Sequence, residues 1–191
     1  CNNNLLYLLN KIKLASQKFG FTFFLDYGTL LGCLRNGKRI PWDIDIDIGI
    51  FCSDIKKIYS ALKFLTNNGE IIQKKSPLML IYYLSKKNNL HIDIQLYKKI
   101  QKNNKNIYVT SYSERIPTCV LPEEDLFPLK EVEFEGMKVL IPNKSEKYIE
   151  LNYGKDCIKN PITKHSYSDD YIKNGSKGDL PDMKKWEKIK K

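Results

Sequence analysis

The chain has 191 residues, of which 42% are hydrophobic and 28% charged, with a formal net charge of +10 and a pI near 9.2. That length suits one globular unit with a real core, and no apolar run of about twenty residues offers a transmembrane helix. Apart from Arg35, Arg39 and Arg115 the basic residues are lysines, often beside asparagine as in Lys102-Asn103-Asn104-Lys105, which reads as solvated loop and argues against nucleic acid as the partner. Cys1, Cys33, Cys52, Cys119 and Cys157 are odd in number and widely spaced, which excludes a C-x-x-C zinc knuckle or redox motif. An oxidising compartment would permit one disulfide, with partners the sequence does not choose. The chain opens on Cys1, not Met, as a processed or partial chain would.

Leu5, Leu8, Leu9, Ile12, Ala15 and Phe19 recur at helical spacing and Gly20 follows as a stop, so the first element is an amphipathic helix. Phe21 to Asp26 reads as a buried strand. Tyr27-Gly28-Thr29 then reads as a turn before a short helix, Leu30 to Arg35. A strand, a Gly-Thr turn and a helix N-terminus form a seat for phosphate, because Gly admits close backbone approach and the first amides of a helix are unpaired. Arg35, Lys38 and Arg39 add positive charge nearby.

Next comes the most informative stretch. Asp43, Asp45 and Asp47 alternate with Ile44, Ile46 and Ile48, the period of a strand with one polar and one apolar face. Carboxylates two residues apart lie about 7 Å from each other and repel by roughly 2 kcal/mol at an effective dielectric near 20. A hard divalent ion such as Mg2+ or Mn2+ relieves that repulsion and commonly bridges carboxylates to substrate phosphates. An EF-hand loop also begins with acidic residues at alternate positions, but Gly49 and Asp54 stand where that loop needs other spacing and a Glu.

Ser53 and Asp54 are N-caps for a helix over 55–67 that ends at Gly69. Glu70 to Lys74, Leu78 to Leu84 and Leu90 to Leu96 read as strands, and in the last of them Asp93 shares a face with His91 and Gln95, where it can lie beside the aspartate strand. His91 and His165 are isolated in the sequence and receive no catalytic role. Ile107 to Tyr112 reads as a further strand and 113–125 as mixed polar chain. Val132 to Pro142 reads as a hairpin turning at Glu135-Gly136, followed by a helix capped by Asn143 or Ser145 and closed by Gly154. From Lys155 periodicity is lost, and Met183 to Lys191 is a basic, Trp-bearing end with helical character.

The run Tyr27-Gly28-Thr29-Leu30-Leu31-Gly32, then Arg35, then Ile40-Pro41-Trp42-Asp43-x-Asp45-x-Asp47 resembles the signature of the LicD family, which includes phosphocholine transferases, fukutin and fukutin-related protein. Many bacterial members carry another Asp where Ile44 stands, so this form resembles the fukutin-related branch. The later Phe-Pro-Leu, Phe-Glu-Gly and Tyr-Ile-Glu-Leu-Asn-Tyr-Gly stretches resemble the same family. The resemblance implies an α/β (α+β) fold, a nucleotidyltransferase-like mixed sheet flanked by helices with a C-terminal hairpin-helix extension. It implies a catalytic domain over 1–160, leaving 161–191 as an irregular basic extension.

The implied activity moves a phosphorylated alcohol, such as phosphocholine or ribitol phosphate, from a CDP-linked donor to a glycan or glycoconjugate, with Mg2+ or Mn2+. Asp43, Asp45, Asp47 and Asp93 are then the metal ligands, with Asp45, Asp47 and Asp93 catalytic. Gly28, Thr29 and Arg35 cradle phosphate, and Trp42 stacks on base or sugar. Two other classes fit the same residues. One is a nucleotidyltransferase working from an NTP, and the other a non-catalytic, lysine-rich module binding glycan or RNA. A Golgi-lumenal setting suits a eukaryotic chain with an anchor upstream, and a cytoplasmic one suits a bacterial chain.

Overall fold

The computed structural model describes residues 2–41, 43–85, 87, 89–113 and 119–160. Helix α1 (Asn2–Phe19) buries Leu5, Leu8, Leu9, Ile12 and Ala15, the stripe read in the sequence. It packs on α3 (Ile55–Leu65), whose Ile58, Ala61 and Leu65 complete the contact. Asp54 stands before α3 without capping it through its side chain. Its carboxylate instead accepts the Thr22 N–H at 3.2 Å and Lys57 Nζ at 2.7 Å.

The main sheet runs in the order β1 (Phe23–Leu25), β2 (Asp45–Phe51), β5 (His91–Lys102), β4 (Met79–Tyr83), β3 (Ile71–Ser76). Only the β2–β5 pair in that path is parallel. A parallel pair requires a long crossover, here supplied by α3 and the β3–β4 hairpin. Strand β5 is longer than the alternation suggested, because its second half, Lys98 to Lys102, turns away to pair with β6 (Lys105–Val109), which in turn pairs with β7 (Leu121–Pro122). The stretch 113–125, expected as mixed chain, holds β7 and most of the short α4 (Glu123–Leu126).

Helix α2 (Tyr27–Asn36) starts three residues earlier than expected, so Gly28 and Thr29 sit in its first turn and not in a turn before it. The cause is Asp26, which caps the helix by accepting the Tyr27 N–H at 2.9 Å. Helix α5 (Ser145–Tyr153) packs against α2 and follows Lys144, so neither Asn143 nor Ser145 caps it. A separate hairpin, β8 (Lys130–Phe134) and β9 (Met137–Ile141), turns at Glu135 and Gly136 as expected, with φ of 50° and 74°, a left-handed pair suited to a tight hairpin. Strand β9 lies against β1.

Ile46, Ile48 and Ile50 of β2 and Ile92, Ile94 and Leu96 of β5 join the α1 and α3 residues in the core. Period-two geometry then forces Asp45, Asp47, His91 and Asp93 to the opposite face. None of the described helices is long and apolar enough to cross a membrane, and Cys33, Cys52, Cys119 and Cys157 are all free. The extension proposed for 161–191 lies outside the described residues.

One buried ion pair ties α1 to the chain leaving α3. Lys11 Nζ reaches Glu70 Oε1 at 2.6 Å and Asn67 Oδ1 at 2.8 Å, and Tyr7 donates to the same Glu70 oxygen at 2.7 Å. Burial alone would raise the Glu70 carboxyl, but the hydrogen bonds from Lys11, Tyr7 and the backbone outweigh it and bring it down to about 2. A carboxyl lowered on folding stabilises the protein above its ordinary value and loses that contribution as pH falls toward 2. Lys11→Met is expected to lower the unfolding free energy by about 3 kcal/mol at pH 7, because it strands a buried carboxylate. Urea titrations from pH 7 to 2 should show the variant and the parent chain converging as Glu70 protonates.

Candidate active site

The site is built where β1 ends. Past Leu25 the edge of β2 loses its strand partner, and the start of α2 replaces it. The Asp26 N–H donates to the Asp47 carbonyl at 3.1 Å, and the Asp47 N–H donates to Thr29 Oγ1 at 2.8 Å. Both backbone groups of Asp47 are thereby held by the first turn of a helix. A Cβ placed on Gly28 would lie 3.4 Å from Asp43 Oδ2 and 3.5 Å from Asp47 Oδ2, so the glycine backbone itself rests against the two carboxylates. The N-terminus of α2, where amides have no partner one turn back, thereby adjoins this acidic face.

Asp26 anchors that turn from below. It is fully buried and also accepts Tyr97 Oη at 2.7 Å and Tyr148 Oη at 3.0 Å. Burial pushes its carboxyl up to about 6, against the hydrogen bonds from Tyr97, the Tyr27 amide and Tyr148. Tyr27 takes the unusual φ of 37° at the head of the helix.

From the other side β5 delivers its own residues. The parallel register sets Asp45 opposite His91 and Asp47 opposite Asp93, so Asp93 does lie beside the aspartate strand. Ligand atoms of Asp45, His91 and Asp93 all fall within 4.8 Å of one another. His91 Nδ1 is 2.8 Å from the Asn89 carbonyl, and Nε2 is 3.3 Å from Asp93 Oδ1. That pair is close but not aligned as a hydrogen bond, and among the described residues buried Asp93 Oδ1 has no hydrogen-bond donor. The Asp47 carboxyl is pushed well above the usual range, first by burial and then by Asp45, Asp93, Asp26 and Asp43. Burial disfavours the His91 imidazolium, but the Asp93 carboxylate, the Asn89 carbonyl and Asp45 prevail and raise it. Crowded carboxylates, an imidazole and an orphaned oxygen are a donor set that suits the divalent metal implied by the family resemblance.

The structure does not bring every expected residue here. Asp43 precedes β2 instead of lying in it, yet its carboxylate still reaches Gly28. The Thr29 hydroxyl is engaged with Asp47, accepting its N–H. Arg35 is placed elsewhere. It lies in the last turn of α2 and gives Nε and Nη2 to the Cys157 carbonyl at 3.0 and 2.6 Å, a tie to the chain after α5. Trp42 lies outside the described residues.

Arg39 is the buried arginine nearer the site. Its Nη1 donates to the Asp43 carbonyl at 3.1 Å, and its amide donates to Glu135 Oε1 at 2.9 Å. The loop carrying it runs so close over α2 that a Cβ on Gly32 would meet the Lys38 carbonyl at 2.6 Å. His91 is the residue that sequence reasoning passed over. Its signal was present, since the alternation placed it on the Asp93 face.

A family model described as LicD/FKTN/FKRP, nucleotidyltransferase domain, matches residues 20–144. The chain belongs to this family. Ribitol 5-phosphate transferase FKRP of Mus musculus and of Homo sapiens are each 29% identical to it over 150 residues, which cover 74% of this chain and 29% of theirs. Ribitol-5-phosphate transferase FKTN of Homo sapiens is 28% identical over 142 residues, 73% of this chain and 30% of its own. The chain therefore spans less than a third of the length of these relatives. Among solved structures, the solution structure of the antibiotic-resistance factor ANT(2'')-Ia superposes with a TM-score of 0.57 at 16% identity, covering 90% of this chain and 83% of that one. A crystal structure of ANT(2")-Ia with adenylyl-2"-tobramycin gives 0.53 at 14%, covering 88% and 83%. At such identities the likeness concerns the fold, a nucleotidyltransferase one.

The Thr29 bond makes a prediction. Thr29→Val keeps the shape but leaves the Asp47 N–H without its acceptor, and is expected to cost about 1–3 kcal/mol in urea unfolding. Thr29→Ser, which restores the acceptor, should stay close to the parent chain.

Proposed function

We propose that the chain carries a metal-dependent phosphotransferase site that moves a phosphorylated alcohol, ribitol 5-phosphate or a close analogue, from a CDP-linked donor to a glycan hydroxyl. The observation that carries this reading is the β2–β5 register, which gathers Asp45, Asp47, His91 and Asp93 beneath the first turn of α2 in a chain of this family. The ribitol 5-phosphate transferase activity for which the FKRP and FKTN relatives are named supplies the transferred group.

Each part has a physical role. The Gly28 and Thr29 amides receive a phosphate oxygen, with Gly28 leaving the backbone open to close approach. Asp45 and Asp93 would hold Mg2+ or Mn2+, and the ion would supply charge neutralisation at the donor pyrophosphate. Asp47 stands between these ligands and Gly28. From that place its carboxylate would take the proton of the acceptor hydroxyl as the general base. Asp43 flanks the same approach, held by Arg39 at its carbonyl. Alignment of hydroxyl and phosphorus then supplies much of the rate, since phosphoryl transfer depends mainly on positioning and electrostatics.

The test is product analysis. With CDP-ribitol, a glycan acceptor panel and Mg2+ or Mn2+, the chain should release CMP, and Asp47→Asn should reduce that release by at least about 100-fold, roughly 2.7 kcal/mol of barrier. Without metal the same variant should melt no lower than the parent chain, because a neutral amide adds nothing to the crowding of carboxylates around this buried position. Undiminished turnover in Asp47→Asn would remove the proposal. Pyrophosphate release from an NTP would identify nucleotidyl transfer instead.

A further inference from the structure

We infer that His91 is a nitrogen ligand of the site's divalent ion and that it tunes the site toward Mn2+ over Mg2+. The inference rests on the proposed metal-dependent reading and specifies which ion the site prefers.

The argument begins with the two ring nitrogens. Nδ1 lies 2.8 Å from the Asn89 carbonyl, and a carbonyl only accepts, so Nδ1 is the nitrogen that carries hydrogen. In the neutral ring Nε2 is then a bare acceptor. It faces Asp93 Oδ1, itself an acceptor, at 3.3 Å, and the two are not aligned for a hydrogen bond. Asp45 brings a further carboxylate to within 4.8 Å of both. Lone pairs that converge in this way take up either a proton on Nε2 or a metal ion among them. A metal-bound histidine commonly donates its distal N–H to a carbonyl or carboxylate, which fixes tautomer and ring orientation, and Asn89 provides that carbonyl here. The Tyr83 ring, with its centroid 5.3 Å from that of His91, packs against the imidazole and restrains it further.

Ligand chemistry then decides the ion. Mg2+ strongly prefers oxygen and keeps its waters, whereas imidazole nitrogen suits first-row transition ions. Replacing one oxygen donor by nitrogen therefore shifts the site's preference to Mn2+ relative to Mg2+. An all-carboxylate version of the same strand pair would lack that bias.

Titration of the untagged full chain with Mn2+ alone, followed by electron paramagnetic resonance, tests the assignment, and competition by Mg2+ gives the selectivity. Electron spin-echo modulation of the bound Mn2+ should show coupling to an imidazole nitrogen. His165 is the chain's other histidine, so His165→Gln should retain the coupling and His91→Gln should lose it. His91→Gln should also weaken Mn2+ by about 10-fold or more while moving Mg2+ affinity less than about 3-fold. The parent chain's own spectrum keeps the test valid if His91→Gln folds poorly. Bound Mn2+ that depends on Asp45 but shows no nitrogen coupling would overturn the role of His91 and leave the carboxylate site standing. No Mn2+ binding beyond that of Asp45→Asn would overturn both.

Discussion

The parallel pairing of β2 with β5 is the constraint on which the site depends. Strands paired in register set residues side by side, so fixing Ile46 beside Ile92 in the core also fixes Asp47 beside Asp93 on the other face. The apolar face supplies the stabilisation and the polar face accepts the repulsion. Six fully or nearly fully buried aliphatic residues on these two strands represent on the order of 10 kcal/mol of transfer free energy, enough to hold several like charges together. A register slip of one residue would turn the carboxylates into the core, which makes the arrangement self-enforcing.

Much of this was legible in the chain. The isoleucine-aspartate alternation located β2, its face and its charge, and the His-Ile-Asp-Ile run located the matching strand. The helical stripes of α1 and α3, the Glu135-Gly136 turn and the family resemblance followed from equally local signals. What was not legible depends on contacts distant in sequence. Asp26 was read as the end of a strand, yet two tyrosines, one from β5 and one from α5, make it the buried cap that starts α2 early. Arg35 carried a charge that suited phosphate, but only the fold shows it spent on a carbonyl 122 positions away. His91 is isolated in the sequence but not in space, because the register seats it opposite Asp45.

Electrostatics at the site runs in layers. Asp26 lies deepest, neutralised in part by hydrogen bonds and held high by burial. Asp47 lies above it, raised by burial and by every carboxylate around it. Asp45, Asp93 and His91 form the layer where a cation fits. Charge thus accumulates toward the face that the N-terminus of α2 adjoins, and the positive end of the helix dipole partly offsets it.

The β8–β9 hairpin forms a two-stranded sheet of its own, yet its turn reaches back to the motif loop. The Glu135 N–H donates to the Gly37 carbonyl at 2.8 Å while its carboxylate receives the Arg39 amide. Arg39 in turn holds the carbonyl of Asp43. Two halves of the sequence are therefore latched at one point, and the outermost carboxylate takes its position from a turn nearly a hundred residues downstream. The signature motif is consequently not a portable cassette. Transplanted without that latch it would keep its letters and lose the placement of its first aspartate, and a change of hairpin turn offers evolution a handle on the site's rim that leaves the strand ladder untouched.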